Sequence, residues 1–458
     1  MATVVRPSRR EFVRQAACSA VGYGAILSTV LDLHTVNALA QGADYRALVC
    51  VFLFGGNDAN NMVVPAGGDY TAYQGGRGVL ALPQADLLPI APSNGDGRSW
   101  ALHPSMGAVR TLFEQRRLAL ACNVGSLVAP VTRAEYRAGR AKLPPQLFSH
   151  SDQQVQWQTS VPDSNTRLGW GGRSADLLRS LNGNSQVSMS ISLSGSNTFQ
   201  VGRYVFQYQM GNTGSVSLTE YRPESPVLRT DAYRQSRAID AILARAHRNI
   251  FENAYRKTMR GAIDLDRHLQ STLAAAPPLA TAFPTTTLGR QLNMVARLIG
   301  VRAALGHRRQ IFFCSTGGYD THAAQVGDQA RLLGELSAAL AAFDQATIEL
   351  GTGNSVTTFT ASDFGRTYQT NGQGSDHGWG SHHLVMGGAV RGGAFYGRMP
   401  ELVVNGPDDT SQGRWIPQVS VDEYSATLAR WFGVGASDLP LVFPNIGRFQ
   451  TTNLGFLG

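Results

Sequence analysis

The sequence predicts an α/β fold built on a mostly parallel sheet. Three observations carry this. Several short runs are apolar throughout, as strands buried on both faces must be. They alternate with stretches of helical periodicity. Several of them end in Gly-rich loops that hold Asp, Asn or His, and that end of an open α/β sheet is where ligands bind.

In chain order, residues 47–54 form an unbroken apolar run that stops at Gly55-Gly56, the pattern of a central strand. Residues 104–117 read as a helix, with Met106, Val109, Leu112 and Phe113 on one face. A second buried strand is expected at 118–124, and helices at 152–158 and 174–181. Residues 187–193 alternate apolar side chains with Ser, as a half-buried strand does, and 199–206 is its candidate partner. Helical periodicity then covers 232–273, rich in Arg and Ala. A Pro/Thr/Ala-rich segment at 274–287 follows, and 288–305 is helical again. Strands at 310–315 and 356–361 flank a long helix at 325–350. Residues 384–386 run into Gly387-Gly388, and 421–432 is an amphipathic helix.

The first forty residues read as an address. Ser8-Arg9-Arg10-Glu11-Phe12-Val13-Arg14 matches the twin-arginine export pattern, a mildly apolar stretch follows, and Ala38-Leu39-Ala40 is a small-x-small cleavage site. The expected organisation is a signal at 1–40 and one α/β domain at 41–458, with a helical and loop insertion around 205–287. The expected location is the periplasm or the outside of the cell, after passage through the Tat translocase. No other stretch approaches the ~20 apolar residues of a membrane span.

Composition narrows the function. With 43% hydrophobic and 16% charged residues the chain is globular. Its net charge is +8, yet only Lys142 and Lys257 are lysines and no basic run is interleaved with aromatics, so nucleic acid is not an expected partner. A mild basic excess suits small anionic esters or polysaccharide-derived substrates. Cys50, Cys122 and Cys314 sit in strand-like runs without a CxxC, which excludes a disulfide framework.

Polar chemistry collects in four places. The first is Gly55-Gly56-Asn57-Asp58, where Asp58 faces the sheet edge or caps a turn. In Ser149-His150-Ser151-Asp152, a serine at a helix N-terminus stabilises anions or serves as an ordinary cap. The third is Gly317-Gly318-Tyr319-Asp320-Thr321-His322. If that chain is extended, Asp320 and His322 point the same way and suit one metal ion. The densest is Ser362-Asp363-Phe364-Gly365-Arg366 through Asp376-His377 to His382-His383, with three histidines in seven residues. Arg366 adds a planar fork for phosphate, sulfate or carboxylate. His247, His268 and His307 sit near Arg on helical stretches and are read as solvated.

These motifs together resemble the uncharacterised domain family numbered fifteen-oh-one, grouped with alkaline phosphatases, arylsulfatases and metal-dependent phosphoglycerate mutases. The resemblance rests on G-G-N-D-x-x-N, S-H-x-D-x-Q-x-x-W, G-G-x-D-T-H-x-x-Q and S-D-F-G-R-T-x-x-x-N-G with a later D-H-G. It implies an alkaline-phosphatase-like sheet sandwiched by helices, with a site at the C-terminal ends of the strands. Carried over, Asp58, Asp320, His322, Asp363, Asp376, His377 and His383 become metal ligands, and Ser149 or His150 falls where the nucleophile is expected. Arg366 would stabilise the ester oxygens and His382 protonate the leaving group. The implied cofactor is a divalent metal, Zn first, with Mn, Mg or Ca also allowed. The implied activity is hydrolysis of phosphate or sulfate esters. Asp363 is followed by Phe364 where the wider group has His, which opens the alternative of an exported binding or assembly protein with a degenerate site.

Overall fold

The first apolar run is a strand, β1 (Arg46–Leu53), buried after its first residue. The computed structural model describes residues 44–458 apart from 184, 213, 216–220, 224–229 and 247. The expected export signal, Cys18 and His247 lie outside the described residues.

Five further strands make up the body of its ten-stranded sheet. They are β2 (Leu118–Gly125), β3 (Ser190–Ser192), β4 (Arg309–Thr316), β5 (Val356–Ser362) and β6 (Ser381–Met386). Their order across the sheet is β2-β6-β5-β1-β4-β3, extended at both edges by short strands. β5, β1, β4 and β3 are mutually parallel, and only β6 among the six runs backwards, antiparallel to β5 and to β2. The sheet is therefore mixed but mostly parallel. The loops that leave β1, β4 and β5, and the one that enters β6, all gather at one edge.

Alternation along β1 divides the core. Ala47, Val49, Val51 and Leu53 face one cluster, which holds buried residues of the helices Gly107–Glu114, Thr287–Gly300 and Gln325–Glu349. Leu48, Cys50 and Phe52 face the other, with Trp157 of the helix His150–Thr159 and buried residues of Trp170–Leu178 and Val421–Phe432. Ser420 and Glu423 form a reciprocal capping box at the start of the last of these, and Gly433 at φ 123° ends it. Cys50, Cys122 and Cys314 are buried and unpaired.

Three features differ from the sequence expectation. Residues 199–206 form no strand, because the Asp176 carboxylate accepts the backbone N–H groups of Arg203, Tyr204 and Val205 and holds a turn there. Tyr208–Gly211 pairs with β3 instead. The periodic stretch 232–273 is two helices, Asp231–Ala244 and Ile250–Ala275, the second capped by the Asn249 side chain. A small antiparallel sheet of Val63–Ala66, Leu88–Ile90 and Ser99–Leu102 was not legible as such. Among the described residues no helix is long and apolar enough to cross a membrane.

His382 and His383 are both inside β6. His382 Nδ1 accepts the Asn123 N–H at 3.0 Å, and the His383 ring meets Trp157 edge-on with centroids 4.6 Å apart. Burial pushes the His382 pKa down to about 4 and that of His383 to about 3. Both rings are neutral in the fold and charged in the acid-unfolded chain. Their stabilisation is present at neutral pH and is lost as pH falls below the ordinary imidazole value of about 6.5 toward the folded values. Thermal melts should therefore show Tm falling between pH 7 and pH 5. In His382→Asn, whose amide oxygen can take the Asn123 N–H without titrating, the fall should be shallower. An unchanged slope would show that His382 contributes nothing to it.

Candidate metal centre

Past β4 the chain carries Asp320 and His322. It does not run extended: the N–H of Thr321 reaches Tyr319 O at 2.9 Å, and that of His322 reaches Asp320 O at 3.1 Å. The two side chains meet all the same, His322 Nε2 lying 3.1 Å from Asp320 Oδ1. The loop is packed against its neighbours by backbone. A Cβ on Gly55 (φ 116°) would lie 2.3 Å from Asp320 N, and one on Gly374 would lie 2.2 Å from Thr321 O.

Two more imidazoles converge on the same carboxylate. His377, just before β6, places Nε2 3.3 Å from Asp320 Oδ1. His150, the first residue of the 150–159 helix, places Nε2 3.5 Å from Asp320 Oδ2. Donor atoms of His150, Asp320 and His377 all lie within 4.8 Å of one another, a group that can hold a metal ion. His322 Nε2 stands beside this group, 3.0 Å from His377 Nε2.

Each ring is held from behind through Nδ1. His150 Nδ1 is 2.6 Å from Asp363 Oδ2, His377 Nδ1 is 2.8 Å from Phe148 O, and His322 Nδ1 is 3.2 Å from Asp376 Oδ1. A carbonyl or carboxylate only accepts, so each Nδ1 donates outward and each ring turns its Nε2 inward. Two Nε2 atoms facing each other at 3.0 Å need a proton or a cation between them. His150 Nε2 and Asp363 Oδ1 are moreover buried without a hydrogen-bond partner. The donor set and its orphaned atoms fit a metal.

Charge at the cluster is graded. Burial opposes ionisation of Asp320, but Arg366, His150 and His322 outweigh it and hold the pKa below the usual carboxylate range. Burial also raises Asp376, and Asn371, His322 and Arg414 overcome it, so its pKa is lowered. Asp363 goes the other way: burial dominates the hydrogen bonds from Gln154, His150 and Gly55, and its pKa is raised. Burial lowers the pKa of His377, which keeps that ring neutral at pH 7.

The other expected site residues have different work. Asp58 is no ligand here: it caps the short helix Ala59–Met62, and its oxygens accept from Asn60, Gln325 and Arg77 in full burial. Asp363 and Asp376 each give one oxygen to a ring Nδ1 and so orient His150 and His322. Arg366 is buried; it donates to Gly55 O, Ser375 O and Asp320 Oδ1, so its fork is closed to substrate. His382 and His383 are committed inside β6. Ser149 is the N-cap of the 150–159 helix, and its hydroxyl donates to Asp152 Oδ2 at 2.6 Å.

Sequence reasoning missed three contributors. Gln154 donates to Asp363 Oδ2 at 2.9 Å, one helical turn from His150, and that i,i+4 spacing is the signal. The Phe148 carbonyl left none, since any residue could supply it. Arg414 donates from Nε to His377 O and stacks over the Phe148 ring at 5.3 Å, arriving from a distant loop.

No curated protein matches the chain. Among solved structures it is similar to the PsFucS1 sulfatase from Pseudoalteromonas sp., with 11% identity and a TM-score of 0.33, over 90% of this chain and 73% of that one. It is likewise similar to Ps i-CgsB, with 9% identity and a TM-score of 0.33, over 88% of this chain and 77% of that one. At these scores no chemistry is carried across. The family described as Protein of unknown function (DUF1501) matches residues 45–433, a span that includes every residue of the cluster, and this chain belongs to it.

Proposed function

We propose that the protein is an exported, metal-dependent hydrolase of phosphate or sulfate esters, acting in the periplasm or outside the cell after Tat-dependent passage. The observation that carries this reading is the convergence of three anchored imidazoles on the Asp320 carboxylate. Asp320 and His322 side chains remain 45% and 44% exposed, so the centre is open to a small anionic or polysaccharide-derived ester. A mixed imidazole and carboxylate set suits Zn. Mg and Ca take oxygen ligands and fit it poorly, while Mn remains compatible with the carboxylate.

His150, Asp320 and His377 would hold the ion, which when bound polarises an ester oxygen and acidifies an attacking hydroxyl or water. The chain's own residues do the rest. Ser149 sits at the positive end of the 150–159 helix, where anionic oxygens are stabilised, and already directs its proton at Asp152. That geometry offers Ser149 as nucleophile and Asp152 as the acceptor of its proton. Arg414, at the rim over Phe148, is the cation placed for the ester oxygens in place of the enclosed Arg366. His322, the most exposed of the three imidazoles, would carry a proton on Nε2 to the leaving oxygen, with Asp376 orienting its ring through Nδ1.

A binding or assembly protein that keeps one ion for structure is the second reading. It is favoured by the withdrawal of Asp58, His382 and His383 into structural roles, which leaves ligands for one ion.

Elemental analysis of the native protein should find about one equivalent of Zn or Mn. Asp320→Asn and His150→Ala should lose it, whereas Asp58→Asn should keep it and be less stable. Retention of metal in Asp320→Asn would overturn the site. The ion competes with protons for neutral imidazoles, so loading should hold at neutral pH and fail as pH falls below about 6.5.

Activity on aryl phosphates and sulfates separates the two readings. Ser149→Ala should keep the metal and lose about 10²-fold or more in kcat. His322→Ala should keep the metal and lose more on alkyl than on nitrophenyl esters, whose leaving oxygen needs no proton. Full metal content with no turnover of any ester would favour the binding protein.

A further inference from the structure

The hairpin formed by Asp231–Ala244 and Ile250–Ala275 has two unlike ends. At its base Leu269 and Leu273 are buried in the main core and Ile263 is covered. At its tip large apolar side chains continue and are left exposed among the described residues. Ile242 is 57% exposed, Ile250 74%, Phe251 78% and Tyr255 68%. Ile242, Phe251 and Tyr255 line a single shallow apolar depression with Leu243 and the Arg256 stem. Four large apolar side chains exposed within fourteen residues are unlike the singly scattered ones that need no explanation.

Cations ring this patch. Among the described residues, Arg245, Arg248 and Lys257 are exposed at the hairpin tip, and Arg256 and the acidic Glu252 line the depression itself. Arg256 donates to the Leu243 carbonyl and so ties the two helices together at the tip.

We infer that the hairpin tip docks on an anionic lipid surface. Ile250, Phe251 and Tyr255 would enter the headgroup boundary, and the arginines and Lys257 would lie among the phosphates with their stems along the apolar layer. Charge decides against a second copy of this chain. A two-fold contact would set each ring of cations against its own image, whereas an anionic surface neutralises all of them. The patch is a few side chains deep, so attachment is peripheral and salt-sensitive. The inference does not depend on the hydrolase reading, because the tip shares no residue with the metal centre.

Vesicle co-sedimentation of the full chain tests it, with phosphatidylglycerol-containing vesicles against pure phosphatidylcholine. Binding should require the anionic lipid and weaken with salt. Arg245→Glu/Arg248→Glu and, separately, Ile250→Ser/Phe251→Ser should each reduce it about tenfold or more, with metal content unchanged. Attachment by other parts of the chain is separated by a reporter at the tip itself. An environment-sensitive fluorophore on Ala254→Cys, in a Cys18→Ser background, should shift to the blue on anionic vesicles. No shift, or binding that the variants leave intact, would overturn the proposal. So would concentration-dependent dimerisation abolished by Phe251→Ser, which would assign the patch to a second copy.

Discussion

The site depends on one buried guanidinium. Arg366 donates to the Gly55 carbonyl after β1, to the Asp320 carboxylate after β4, and to the Ser375 carbonyl ahead of β6. Three loops that share only the edge of a sheet are thereby fixed relative to one another. A guanidinium so deeply enclosed is costly unless its N–H groups stay paired, and withdrawing a carbonyl partner would leave a buried donor unsatisfied. The loops are therefore coupled: none can move without stranding a buried cation. The same contact keeps Asp320 ionised, which is the state a metal ligand needs.

A second enclosed arginine does for the outer shell what Arg366 does for the inner. Arg77 pairs with Asp58 and donates to the carbonyls of Thr367 and Tyr368 and to Asn61. The Arg366 loop is gripped by one arginine from within and by the other from the side. Asp58 is thus part of the frame that holds the donors, though it follows the first strand as a ligand would. Its short helix and the Gln325 and Arg77 contacts absorb both oxygens.

Much of the fold was legible and its directions were not. Apolar runs at β1, β2, β4 and β5 gave the strands, because burial on both faces leaves a signature in composition. Nothing in six residues of β6 says that it runs backwards, since direction is set by where the connections go. That reversal matters: it brings the chain towards the site through His377 and then carries His382 and His383 away from it into the core. The cluster of histidines looked like one unit in sequence, and the sheet divides it. The turn at 199–206 was likewise out of reach, because it is held by Asp176 from another helix.

The candidate site shows the same division at the level of atoms. Asp320, Asp363 and Asp376 are equivalent in sequence, each beside a glycine-rich loop and within reach of histidine. Whether a carboxylate meets a metal or orients a ring is decided by which imidazole nitrogen it faces. Asp363 and Asp376 stand behind Nδ1, while Asp320 stands before Nε2. An imidazole cannot offer an inward lone pair unless its other nitrogen has somewhere to put a proton. Each ring aimed at Asp320 therefore requires an acceptor beyond it, and three such rings need three. Two of the acceptors are aspartates and the third is the carbonyl of Phe148. Residue types alone would overcount ligands at such a centre, because the acceptors that keep the rings aligned are drawn from the same residues as the ligands.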